Sequence, residues 1–248
     1  MASTAAVAAA FGVSGEQAER DRMISFILAA ISNRWADQLT FIGGTALART
    51  NLPDGRLSED IDLITRTSRS TIARQLDREL PDAFRRELGR LHWDPALSAV
   101  GDAGEAYLRR DDGLSVKIQL ISQIGHPDWP TQRTQLDQRY DDAPPAALDV
   151  LTTPAFVAAK TAAWQDRRAP RDLWDLWALN ARGAIDSNAA ELFRKLGPTG
   201  RTPDPAWFAT APSESDWTDA LASQTILTIT ASEAAQQIRD AWIPFRRN

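Results

Sequence analysis

The apolar and polar positions of this chain follow two regimes. Short apolar runs alternate with helical spacing up to about residue 121, and from Thr153-Pro154 onward only helical spacing remains. Ser14 and Gln17 resemble a capping box, and an amphipathic helix is predicted over 16–35 with Met23, Phe26, Ile27 and Ile31 on one face. An apolar run (Leu39, Phe41, Ile42) then meets Gly43, Gly44 and Thr45 and opens a short helical segment, TALART. Residues 60–64, DIDLI, alternate as a strand does: Asp60 and Asp62 face one way, Ile61 and Leu63 the other. A second helix is predicted over 67–88 from the spacing of Ile72, Leu76, Leu80 and Phe84, with Pro81 kinking or splitting it. Strands are predicted at 91–100, 105–110 and 114–121, between Gly-Asp and Asp-Asp-Gly turns. Residues 122–145 are rich in Pro, Asp and Gln, lack periodicity, and read as a long connection.

The remainder is helical. Thr153 reads as an N-cap and Pro154 as the first helical residue of a helix reaching about Asp166. Helices over 170–181 and 187–196 follow, then a Gly/Pro-rich break at 197–205, then helices over 213–221 and 232–242. The expected organisation is a core at 1–145 and a helical C-terminal subdomain at 146–248, sharing a cleft.

Composition narrows the chemistry. The chain has 248 residues, 43% hydrophobic and 25% charged, as an ordinary soluble protein does. It has no cysteine, which removes disulfides and thiolate metal sites. Its two histidines, His92 and His126, are too few for a histidine-rich metal centre. No apolar stretch approaches the roughly 18 residues of a membrane span, and no basic segment precedes the Ala-rich start, so a cytoplasmic location and no membrane partner are expected. The net charge of −5 argues against a surface that is nucleic-acid footprint throughout, but leaves room for a local basic groove. No GxSxG, HExxH or Walker pattern is present.

What is left is the stretch 41–65, FIGGTALARTNLPDGRLSEDIDLIT. Paired glycines let a backbone approach a ligand closely, and the amides of the helix they open suit an anion. Two carboxylates side by side on a strand suit one or two hard divalent cations. The plain alternative is a strand-to-helix turn followed by two solvated acids on an edge strand. Against it, unpaired acids are rare in a strand otherwise built of Ile and Leu. In the C-terminal half, Lys160 lies among Ala158, Ala159, Ala162 and Ala163, which leaves a long cation room to reach across or to remain solvated. Asp172 and Asp175 share a helical face within a segment of Leu and Trp, so they must be paired or catalytic. Asp172, in the first turn, reads as structural. Arg167, Arg168 and Arg171 form a basic cluster suited to phosphates, or an ordinary solvated loop. Trp164, Trp174 and Trp177 read as core residues of the helical half.

GGTALART with GRLSEDIDLI resembles the first motif of the polymerase-β-like minimal nucleotidyltransferases, and more closely their AbiEii/MenT toxin branch, with its glycine pair and Arg-x-Ser-x-Asp-x-Asp run. Lys160–Trp164 followed by residues 167–176 resembles the branch's second motif. Together they cover under half of the chain, in matching order and separation. The resemblance implies an α/β (α+β) fold, a polymerase-β-like core with a mixed sheet followed by a helical subdomain. It also implies a toxin that transfers a nucleotide from an NTP to RNA, at the tRNA 3′ acceptor end, with Mg²⁺ or Mn²⁺, blocking translation until a cognate AbiEi-type antitoxin restrains it. In that reading Asp60 and Asp62 bind metal, and Gly43, Gly44, Thr45, Arg56, Ser58, Lys160 and Arg171 hold the nucleotide. Asp175 completes the catalytic set of Asp60, Asp62 and Lys160. The resemblance also makes Ser58 a candidate phosphorylation site. Where the superfamily carries a third acid this chain has Gln119, so either Gln119 replaces a ligand or the acid comes from elsewhere. The alternatives are transfer to a small molecule such as an aminoglycoside, or to a protein, and an inactive nucleotide-binding module.

Overall fold

The computed structural model describes residues 2–246, and the chain divides into two compact units. One comprises Met1–His126 with Gln132–Val150, the other Pro127–Thr131 with Leu151–Asn248.

The first unit opens with helix α1 (Thr4–Phe11), which the sequence pattern does not predict because its run of Ala has no polar face to set a period. Ser3 caps it, and Gly12 ends it with φ 68°. Helix α2 (Gly15–Trp35) starts where Ser14 Oγ accepts the Gln17 N–H at 3.1 Å. It is not amphipathic as expected. Met23, Ile24, Phe26, Ile27, Leu28, Ala30 and Ile31 are all buried, so apolar residues cover most of its circumference. Strand β1 (Leu39–Ile42) runs into helix α3 (Gly43–Ala48), and β2 (Asp60–Thr65) returns beside it. The predicted second helix is α4 (Arg69–Ala83) followed by a single turn, α5 (Arg85–Leu88). It passes Pro81 and breaks at Phe84, three residues later than the proline itself.

The strand predicted at 91–100 is only β3 (Leu91–Trp93), because Pro95 cannot donate to a ladder and a 3-10 turn at Leu97–Ala99 buries Leu97 instead. Strands β4 (Ala106–Arg110) and β5 (Ser115–Ser122) fall close to their predicted positions. The stretch 122–145 is not only a connection: it holds β6 (Thr131–Gln135), and β7 (Ala147–Leu151) follows. Strand β6, TQRTQ, lies at the sheet edge and has no apolar face, which hides it from any pattern of alternation. The seven strands form one mixed sheet in the order β3-β4-β5-β2-β1-β7-β6. Near its centre, β2 pairs antiparallel with β1 and parallel with β5.

The second unit holds α6 (Thr153–Arg167), α7 (Pro170–Asn180), α8 (Ser187–Leu196), α9 (Glu214–Leu221) and α10 (Ala231–Trp242). The N-cap of α6 is Thr152 rather than Thr153, and its side chain makes no cap bond. The core includes Trp164, stacked on Phe208 with centroids 5.9 Å apart and its indole N–H donating to the Trp207 carbonyl, and buried Trp174, Phe193, Trp217 and Trp242. Trp164 and Trp174 are thus core residues, as their setting among Leu and Ala suggested, and Trp177 is half-buried at their edge. Among the described residues no helix is long and apolar enough to cross a membrane.

Candidate active site

In the first unit three segments meet at the start of β2. Gly43 turns the chain from β1 into α3 with φ 81°, a left-handed conformation that only glycine adopts without strain. A Cβ there would also lie 2.1 Å from Asp62 Oδ2, so the missing side chain is what lets the Asp62 carboxylate sit against the turn. A Cβ on Gly44 would lie 2.8 Å from Arg56 Nη2 and 3.1 Å from Ser58 Oγ. The paired glycines therefore bring backbone amide, carboxylate, guanidinium and hydroxyl together in one small space. Arg56 is 4% exposed and donates through Nη1 to the Leu57 carbonyl at 3.2 Å. Ser58 lies ahead of β2 rather than on it, so strand alternation does not place it; the approach to Gly44 does. Thr45 is buried, and its hydroxyl donates to the Asp60 carbonyl, tying α3 to the strand that carries the acids.

Asp60 and Asp62 are half-buried on one face of β2, while Ile61 and Leu63 are fully buried on the other. Two carboxylates are the donor set of a hard cation that leaves the rest of its shell to water and substrate phosphate. Among the described residues no group of three or more His, Cys, Asp or Glu could enclose a metal unaided. Across the parallel ladder Asp60 faces Lys117 and Asp62 faces Gln119. Lys117 Nζ lies 3.0 Å from Asp60 Oδ2 and 3.3 Å from Glu105 Oε1. Burial acts to lower the Lys117 pKa, but the two carboxylates outweigh it and hold the ammonium above its ordinary range. Gln119 donates to the Ala103 carbonyl at 2.8 Å. Sequence reasoning missed Lys117. Its parity with Gln119 on β5 was the available signal, but its partner becomes visible only once the register is known.

Behind α3 lies a second feature the sequence did not reveal. Arg49 caps α3 at 0% exposure and donates to Asp21 Oδ1 at 2.8 Å, to Ser25 Oγ at 2.8 Å and to the Asp137 carbonyl at 2.9 Å. Burial pulls its guanidinium down to about 10, with the Asp21 carboxylate pulling the other way. Arg139 and the Tyr140 hydroxyl complete the shell around Asp21. This network fixes the far end of the short helix that carries the glycine turn.

The second unit holds its own cluster. Lys160, on α6, lies 3.0 Å from Asp172 Oδ1 and 2.6 Å from Asp175 Oδ2, both on α7. Arg167 grips Asp172 with Nε at 2.7 Å and Nη2 at 3.0 Å. Asp172 and Asp175 are 0% and 2% exposed, and Lys160 8%, so Lys160 is not a solvated helix lysine. Burial raises the Asp172 pKa, but the Lys160 charge and the Arg167 hydrogen bond outweigh it and hold the carboxyl below its ordinary range. Asp172 thus has two cationic partners, and Asp175 shares one of them. Arg171 is exposed on α7, with Nε 3.3 Å from the Ala220 carbonyl.

Residues 27–248 match the model of the nucleotidyl transferase AbiEii toxin family, of type IV toxin–antitoxin systems. The chain belongs to the AbiEii family. It is therefore a nucleotidyltransferase toxin by family, with an antitoxin partner and an NTP substrate by class. The fold agrees. MenT4, a nucleotidyltransferase toxin of Mycobacterium tuberculosis H37Rv, superposes with a TM-score of 0.73 at 19% identity, over 98% of this chain and 89% of that one. An antigenic nucleotidyltransferase-like protein of Paracoccidioides brasiliensis reaches a TM-score of 0.42 at 13% identity, over 66% of this chain and 77% of its own. Among curated proteins no sequence matches. The α/β architecture with a mixed sheet is that of an AbiEii toxin, as the first motif implied.

Proposed function

We propose that this AbiEii protein transfers a nucleotide from an NTP to the 3′ acceptor end of tRNA and so blocks translation. The observation that carries the reading is the double close approach at Gly43 and Gly44, where Asp62, Arg56 and Ser58 crowd the turn to within the volume of one side chain. Such a space, lined by amides and a guanidinium beside two carboxylates, suits a triphosphate bridged to a cation.

In this reading the amides at Gly43 and Gly44, with Arg56 and Ser58, bind and orient the phosphate chain. Thr45 holds Asp60 in register through its main-chain carbonyl. Asp60 and Asp62 would hold a divalent ion, Mg²⁺ or Mn²⁺, which when bound offsets the charge that builds up on the phosphates during in-line displacement. Lys160, Asp175 and Arg171 are proposed to take part from the helical unit. Lys160 would act through its fixed charge, Asp175 through its hold on that charge, and Arg171 through its exposed guanidinium. Asp172 and Arg167 position Lys160. A cognate AbiEi-type protein is the proposed antitoxin.

The test is to incubate the purified chain with each labelled NTP, Mg²⁺ and total RNA. Label in the tRNA band, lost in Asp60→Ala with an unchanged melting temperature, is expected. Label absent from every RNA fraction would end the tRNA reading. The net charge of −5 favours a second reading, in which the acceptor is a small cation such as an aminoglycoside. That reading predicts transfer to the small molecule and none to RNA.

A further inference from the structure

The ammonium of Lys117 bridges two carboxylates with different prospects. One belongs to Asp60, on the face of β2 assigned above to a divalent ion. The other belongs to Glu105, just ahead of β4, which is outside that pair. Glu105 is held as well as available. The Tyr107 hydroxyl donates to its second oxygen at 2.9 Å, and Gln119 bonds the Ala103 carbonyl two residues earlier in the same turn. The position where a third acid was expected therefore anchors the segment that presents Glu105. Lys117 itself is constrained, because β5 pairs with every residue of β2 and puts residue 117 opposite Asp60.

Two cations cannot share one carboxylate without strong mutual repulsion. At about 4 Å and an effective dielectric near 20, like charges repel by several times the thermal energy. A divalent ion arriving at Asp60 must therefore move the lysine, and the lysine already touches a second anion. We infer that Lys117 is a resident counter-ion of Asp60 that a divalent cation displaces toward Glu105, so that the Lys117–Glu105 pair sets the affinity of the site for the cation. Until then the lysine offsets the repulsion between Asp60 and Asp62, neighbours on one strand face. The inference rests on the reading of Asp60 and Asp62 as cation ligands, and it assigns Lys117 a positioning role with no contact to substrate.

The experiment is Mn²⁺ binding to the purified full chain without nucleotide, followed by calorimetry. It compares wild type, Lys117→Met, Glu105→Gln, the double variant and Asp62→Asn. Melting temperatures confirm that each variant folds; Lys117 and Glu105 side chains are 22% and 53% exposed, so neither substitution empties a core. Lys117→Met is expected to tighten Mn²⁺ about tenfold, the scale of a half-buried ion pair. Glu105→Gln is expected to weaken it about threefold while Lys117 is present, and by less than about twofold once Lys117 is Met, since its effect runs through the lysine. Unchanged or weaker binding in Lys117→Met overturns the inference. So does strict additivity of the two substitutions, which would reduce both residues to a general field. Asp62→Asn separates the two levels of the argument. If Mn²⁺ binds that variant as it binds wild type, the carboxylate pair is not the cation site, whatever Lys117 does.

Discussion

Ser58 shows how a side chain acquires meaning from its neighbours. By sequence it is one hydroxyl in a Ser-Glu-Asp run, two residues ahead of Asp60. In the structure it precedes β2, and its Oγ lies close against Gly44 beside the Arg56 guanidinium. A phosphate on that oxygen adds roughly −1.5 to −2 charges next to Asp60 and Asp62, within reach of Arg56. It would take the cation and the guanidinium that a triphosphate needs. Ser58→Glu should therefore abolish nucleotide transfer and growth arrest on induction, while Ser58→Ala should keep at least part of both. A Ser58→Glu protein that labels tRNA as wild type does would remove the hydroxyl from the site. The acids were legible because carboxylates stand out in a strand of Ile and Leu. Lys117 was not legible, since a lysine on a half-exposed strand face is ordinary until the register sets it opposite Asp60.

At the scale of elements, the turn between β1 and α3 concentrates most of the proposed binding surface in two residues. Gly43 meets two demands at once: a positive φ, and space for Asp62. Alanine at this position pays roughly 1–2 kcal/mol for the left-handed backbone. Its Cβ would also displace the Asp62 carboxylate, and misplacing a catalytic group by about 1 Å can cost on the order of a hundredfold in rate. Gly43→Ala should then fall about a hundredfold in kcat with only a modest drop in melting temperature. Gly44→Ala, whose Cβ meets the flexible end of Arg56, should lose less and mainly in the KM for NTP. Equal losses in the two variants would show that the left-handed backbone at Gly43 is not what sets it apart, since Gly44 has no positive φ. Elements with strong periodicity and caps were readable in advance, α4 and α8 among them. Others were hidden by their environment: α1 is nearly all apolar, β6 has no apolar face, and β3 is cut short by Pro95.

At the scale of the molecule, what no local pattern reveals is pairing across long separations. The sheet order, which places β2 between β1 and β5, is such a feature. The buried ionic cluster of the first unit is another. Asp21 with Arg49 and Arg139 lies in the first unit, and Asp172 and Asp175 with Lys160 and Arg167 lie in the second. The second cluster predicts how the protein responds to acid. Asp172 is fully buried with its carboxyl held below the ordinary range near 3.9, so the unfolded chain takes up its proton before the folded one does. Its contribution is therefore complete above about pH 4 and is lost as the pH falls through the lower, folded value. Asp172→Asn removes the charge but keeps the shape. It leaves Lys160 and Arg167 one anion short, at about 3 kcal/mol near neutral pH by the usual cost of breaking a buried pair. Urea unfolding of wild type and variant at pH 7 and pH 3 checks this. The gap between them should be widest at pH 7 and should narrow at pH 3, with the remaining acid sensitivity coming from other paired carboxylates such as Asp112 and Glu191. Curves that stay parallel at both pH values would mean that Asp172 is protonated in the folded state throughout.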